Sequence, residues 1–245
     1  MTGNPALNQN TFTDVQSART GGVMTIQGTV NKTAILLALV VAAAAYTWRL
    51  YYTGDAEQLM PFTIGGAIGG FIVGMVTCFK KDWSPVTAPI YAVCEGLFIG
   101  GISAILDQRY PGIALEAVML TFGTLAGLLG AFKMGIITAS PAFKRGVIAA
   151  TFGIALVYLV TFVLGLCHVP VSFMYDSSPL SIGISIFVVI IAALNLVIDF
   201  DFIQQGASVG APKFLEWYAA FGLLVTLVWL YIEILRLLSK LNRRN

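Results

Sequence analysis

The chain has 245 residues, of which 58% are hydrophobic and 11% charged, and its mean hydropathy is +0.85. Soluble domains carry about a quarter charged residues, so this composition excludes a soluble protein and implies an integral membrane one. At about 20 apolar residues per span the length is taken up by membrane helices, and a net charge of +2 gives no sign of nucleic-acid binding.

Residues 1–31 are rich in Asn, Gln, Thr, Ser and Gly and form a polar tail, expected to be mobile or to lie on the surface. They lack the charged-then-apolar pattern of a signal peptide. A seven-helix membrane domain is expected over 32–241, with a short basic tail over 242–245. The first span runs from about Lys32 to Leu50 and ends in an aromatic cluster (Tyr46, Trp48, Tyr51, Tyr52), as at a membrane interface. The second, about Met60 to Phe79, holds Gly65, Gly66, Gly69, Gly70 and Gly74, spacings that let a neighbouring helix come close. Lys80, Lys81 and Asp82 close it. The third, about Ser84 to Leu106, has Glu95 near its middle, with Gly96 and Gly100 beside it. The fourth, about Ile113 to Phe132, has Glu116 in its first turn, where a helix dipole favours negative charge, and a Gly123/Gly127 pair. Lys144 and Arg145 precede the fifth, about Gly146 to Cys167. The sixth runs from Ser181 to Gly206 and the seventh from Phe214 to Leu241.

Cys78, Cys94 and Cys167 have no CxxC spacing and read as buried core thiols. His168 is the one histidine and has no second ligand near it in sequence, which makes it a poor metal ligand. Odd-numbered spans put the termini on opposite sides. With the N-terminus in the cytoplasm, Arg19, Lys32, Lys80, Lys81, Lys133, Lys144, Arg145 and Lys213 fall inside, against Arg49 and Arg109 outside, in agreement with the positive-inside rule. Lys240, Arg243 and Arg244 argue the other way.

Carboxylates inside the last two spans are the informative feature: Asp199 and Asp201 in the sixth, Glu233 in the seventh. An acid at bilayer depth costs roughly 2.5–3.5 kcal/mol on insertion scales, so such residues usually serve a function. Two that meet would share a proton, because close like charges disfavour double ionisation. At 100° per residue Asp199 and Asp201 point about 160° apart, so one partner helix cannot face both. Asn195 lies one turn before Asp199 on its stripe, and Asp201 is the better interfacial residue. Arg236 is three residues beyond Glu233, within reach of an intrahelical pair, so mutual neutralisation is the simpler alternative. Glu95, Asp199 and Glu233 could together offer oxygen ligands to calcium.

The run AP-x-Y-A-x-x-E-G-L-F-x-G in the third span, I-D-F-D-F-I closing the sixth and L-Y-I-E in the seventh, in that order, resemble the Bax-inhibitor family of membrane proteins. NPAL, TF and M-T-I-Q-G-T-V-N-K-T near the N-terminus resemble a bacterial subfamily, which implies a bacterial cytoplasmic membrane. The resemblance implies an all-α fold in which six helices surround a central C-terminal helix. It also implies a pH-sensitive calcium leak whose sensor is a pair of acids on the sixth and seventh helices. Residue by residue, those acids are Asp199 and Glu233, with Glu standing where the family pattern has Asp. A basic latch residue near the second helix has only Lys80 or Lys81 to fill it by position.

The function expected is therefore a calcium or cation leak gated by a proton shared between Asp199 and Glu233, with Glu95, Asn195 and Asp201 along the ion path and Arg236 as counter-charge. Its partners are the bilayer, calcium and protons; calcium is cargo, and no cofactor is expected. The alternative is a non-conducting protein that modulates a membrane protease or another membrane partner. An enzyme is not expected, since HExxH and GxSxG are both missing from the sequence.

Overall fold

A computed structural model describes residues 22–53, 56–167 and 176–244. Seven helices, each long and apolar enough to cross a membrane, hold most of them. They are α1 (Ile26–Tyr52), α2 (Ala56–Phe79), α3 (Ser84–Arg109), α4 (Ile113–Lys133), α5 (Pro141–Leu166), α6 (Pro179–Ser208) and α7 (Leu215–Arg244). A bilayer offers backbone groups no hydrogen-bonding partner, so a spanning segment must satisfy them internally as helix. Most boundaries match the expected spans; α1 departs most, beginning at Ile26 ahead of Lys32. The polar residues there support the helix instead of ending it. Thr25 caps it by accepting from Gly28 N at 2.9 Å, Gln27 donates to Asn31 at 2.9 Å, and the Thr29 and Thr33 hydroxyls each donate to the carbonyl four residues back.

Seven alternating spans place Ile26 and Arg244 at opposite ends of the bundle. The end where α1 begins, here the near end, also holds the 3-10 turn Lys81–Trp83, the α4–α5 connection and the α6–α7 turn. The central helix is α7: Ala220, Leu224, Leu230 and Leu235 along it are all but inaccessible. Helices α1, α3, α4 and α6 pack directly on it, while α2 lies mainly on α3 and α5 on α6. Lipid tails are as apolar as leucine, so close packing rather than burial from water holds such helices together. The closest approaches are made by glycine: a Cβ on Gly96 would fall 2.5 Å from the Val40 carbonyl of α1, and one on Gly66 would fall 2.6 Å from the Cys94 carbonyl of α3. Gly123 and Gly127, by contrast, meet nothing within 4 Å and face outward.

Ahead of α1 the chain is strapped to the α6–α7 turn. Val23 and Pro212 form a single antiparallel bridge, Met24 N donates to Ala211 O at 2.7 Å, and Lys213 N donates to Gly22 O at 3.2 Å. Met24 is buried against Gly206, where any side chain would collide with its sulfur. Gly210 makes the turn at φ +65°, a left-handed conformation that glycine adopts without steric cost.

Candidate functional site

On the near-end side of mid-bundle, α2 and α6 flank a cavity of about 700 Å³ and pack little on each other, and α3 and α7 form its back wall. Glu95 from α3 and Asp199 from α6 both line it, with Tyr91, Tyr218 and several phenylalanines around them. Tyr91 sits one turn before Glu95 on the same face of α3, beside its carboxyl. Room for that carboxyl comes from α2, because a Cβ on Gly70 would fall 2.8 Å from Glu95 Oε1. Asp199 lies beside Thr226 of α7, and its Oδ2 is buried with no hydrogen-bond partner. Among the described residues no lysine or arginine lines the cavity; the ammonium of Lys81 sits 5.3 Å from the centre of the Tyr218 ring at its near end.

Glu233 is elsewhere. Only 1% of it is exposed, and it accepts from the Tyr158 hydroxyl of α5 at 2.9 Å and from Arg236 Nη1 at 3.0 and 3.1 Å. Arg236 also donates to the Tyr158 hydroxyl at 2.7 Å and stacks over its ring, closing a triangle of three side chains. The expected hydrogen bond between Asp199 and Glu233 is therefore not made. Thr226, the α7 residue at the depth of Asp199, precedes Glu233 by seven residues, which at 1.5 Å per residue is about 10 Å along the axis. The simpler alternative for Glu233 and Arg236, mutual neutralisation, describes their geometry.

The remaining expected site residues divide as follows. Glu95 shares the cavity with Asp199. Asp201 and Asn195 are not on that path, because both turn toward α5: Asp201 is ion-paired with Lys144 and accepts from Gln205 at 2.6 Å, and Asn195 donates to Thr151 at 2.9 Å and to Ile191 O at 2.8 Å. Asp199 and Asp201 do meet different neighbours, but Asn195, expected on the Asp199 stripe, pairs with Thr151 of α5 instead of lining the cavity. Lys80 is exposed, and Lys81 contacts Tyr218 rather than either acid. Glu95, Asp199 and Glu233 do not converge, and among the described residues no group of three His, Cys, Asp or Glu side chains could hold a metal ion. Cys78 and Cys167 are exposed rather than buried in the core, with Cys78 on the cavity wall. His168, Arg19 and the NPAL and TF motifs lie outside the described residues.

Several polar contacts were missed from sequence. Glu216, 1% exposed, is ion-paired with Lys32 and accepts from both the backbone N and the hydroxyl of Thr25 at 2.9 Å, which locks α1 to the start of α7. Lys240, 5% exposed, donates to Ser185 Oγ at 2.8 Å and to Ser181 O at 3.3 Å. Tyr158, within the apolar run of α5, gave no signal, whereas Tyr91, four residues before Glu95, could have been read as its neighbour.

No curated protein and no solved structure matches the chain. A family model described as Bax inhibitor 1 like matches it from residue 4 to residue 243, through all seven helices and both cavity acids. On a match of that extent, the chain is a membrane protein that belongs to the Bax inhibitor 1 like family.

Proposed function

We propose that the protein is a pH-sensitive cation leak, with calcium as the ion carried, and that Glu95 and Asp199 form the polar station on its route. The observation that carries this reading is the buried, unpartnered Oδ2 of Asp199 in a cavity that holds a second carboxyl and, among the described residues, no lysine or arginine. Buried polar atoms are nearly always paired, and an exception asks for a ligand or a proton. Two carboxyls are too few to strip calcium of its water, since the ion takes six to eight oxygens; they suit a hydrated cation in transit. The titratable groups facing Asp199 across the cavity are Glu95 and Tyr91 of α3, Cys78 of α2 and Tyr218 of α7. A proton gained on either carboxyl removes charge from the route and gives the leak its pH response. The Glu233–Arg236–Tyr158 triangle sits deeper along α7 and holds α5 to it, as the closed gate beyond the cavity.

Calcium flux into dye-loaded liposomes, scanned from about pH 6 to 8 across the range in which a perturbed carboxyl titrates, tests this reading. Flux that changes with pH in the native protein and loses that dependence in Asp199→Asn and Glu95→Gln is the expected result. Flux no greater than in empty liposomes would sink the leak and turn attention to the interaction-protein role. Flux whose pH dependence survives both substitutions but not Glu233→Gln would move the sensor to the triangle.

A further inference from the structure

We infer that the cavity between α2 and α6 is also a binding site for hydrophobic organic cations, such as lipophilic amines and quaternary ammonium or phosphonium ions, which reach it from the bilayer. The inference rests on the same site as the proposed leak and adds a ligand class to it.

Three features of the cavity select such a ligand together. Its walls are aromatic: Phe71, Phe98, Phe202, Phe221, Tyr91 and Tyr218 surround the space. Aromatic faces attract a cation, and more strongly when it is desolvated. Among the described residues its only carboxyls are Glu95 and Asp199, with no lysine or arginine in the lining, and Asp199 Oδ2 has no partner of its own. Two of the near-end cations are ion-paired away from the cavity, Lys32 with Glu216 and Lys144 with Asp201, and Lys81, at the cavity's near end, lies over the Tyr218 ring rather than against either acid. Finally, the space faces the apolar phase. Phe71, Met75 and Phe202 line it and are also exposed, where α2 and α6 pack little on each other.

A volume of about 700 Å³ falls within the roughly 300–1,000 Å³ of sites that enclose a drug-sized molecule. An anionic amphiphile would bring like charge to two carboxyls. A neutral one would leave the unpaired carboxyl oxygen unsatisfied. A compact inorganic cation gains nothing from reaching the site through lipid. The ligand that satisfies walls, charge and access at once has an apolar body and one positive centre, and by filling the cation route it blocks the leak.

The experiment measures equilibrium binding of radiolabelled tetraphenylphosphonium to the whole protein in nanodiscs, with tetraphenylborate, the same shape with the opposite charge, as competitor. Saturable binding is expected, not displaced by tetraphenylborate, and weakened by roughly tenfold or more in Asp199→Asn and in Glu95→Gln, the factor that 1.4 kcal/mol gives. Asp201→Asn, a carboxyl paired outside the cavity, should bind as the native protein does. Gly222→Phe keeps both acids but projects a ring into the cavity, where a Cβ meets nothing within 4 Å, and should abolish binding. A readout that needs no variant is the alkylation rate of Cys78, which lines the cavity: tetraphenylphosphonium should slow it and leave Cys167 unchanged. Unsaturable uptake, equal competition by tetraphenylborate, or unprotected Cys78 would overturn the inference. Binding without calcium flux would refute the leak and leave this site standing, and flux without binding would do the reverse.

Discussion

Removing Arg236 separates a neutralised Glu233 from a free one. The Glu233 side chain is 2% exposed and that of Arg236 34%, so Arg236→Met leaves a buried carboxylate whose remaining donor is the Tyr158 hydroxyl. Breaking a buried pair from one side costs about 3–5 kcal/mol, because the other charge is left uncompensated. The lower figure is the better expectation here, since Arg236 is one-third exposed and Tyr158 still donates. For a chain of this size each kcal/mol lowers the melting temperature by roughly 2–4 °C, so at about 3 kcal/mol the fall should lie between about 6 and 12 °C. The assay is thermal unfolding in detergent of the native protein, Arg236→Met, Glu233→Gln and the double variant. Because the double variant buries no stray charge, it should recover most of what Arg236→Met loses, with a coupling of about 2 kcal/mol, within the range measured for groups in direct contact. Losses that simply add would show that the two side chains do not neutralise each other, and the triangle would lose its place as the closed gate.

Three further outcomes follow from other parts of the structure. Gly96→Ala must push α1 from α3 and should cost about 1–3 kcal/mol as overpacking, whereas Gly123→Ala, in open space, should be neutral or stabilise by up to about 1 kcal/mol; equal effects on thermal unfolding would contradict the helix contacts. Lys32→Met leaves Glu216 buried with only Thr25 as donor, so amide exchange should quicken over 25–30 and at the start of α7; unchanged exchange would mean the lock contributes nothing there. Asp176 accepts from Ser178 N at 3.2 Å and Ser178 Oγ at 2.8 Å ahead of α6, and these bonds hold its carboxyl below its ordinary 3.8. A carboxyl depressed by folding stabilises the fold above its unfolded value, and loses that contribution as pH falls through the folded one, so the gap between native protein and Asp176→Asn should hold at neutral pH and close as pH falls below the ordinary 3.8. A gap that widens on acidification would reverse the sign and refute the cap.

Membrane residence, the number of spans and most of their limits were legible in the sequence, because each is a local property: a run of apolar residues of bilayer length satisfies its own backbone wherever the other runs lie. The opposite directions of Asp199 and Asp201 were equally local, being set by the helix period alone. The partners of the acids were not local. Asp199 meets Thr226 and the Glu95 cavity rather than Glu233 because the antiparallel register of α6 and α7 sets those depths about two turns apart, and register is fixed by packing along both helices. Glu233 is filled by Tyr158, a residue on a helix that touches α7 only through side chains, and Asp201 and Asn195 are drawn to α5 for the same reason. Helix period tells which residues share a face. Which face meets which, and at what height, depends on how seven helices fill space together, and only the tertiary structure decides that.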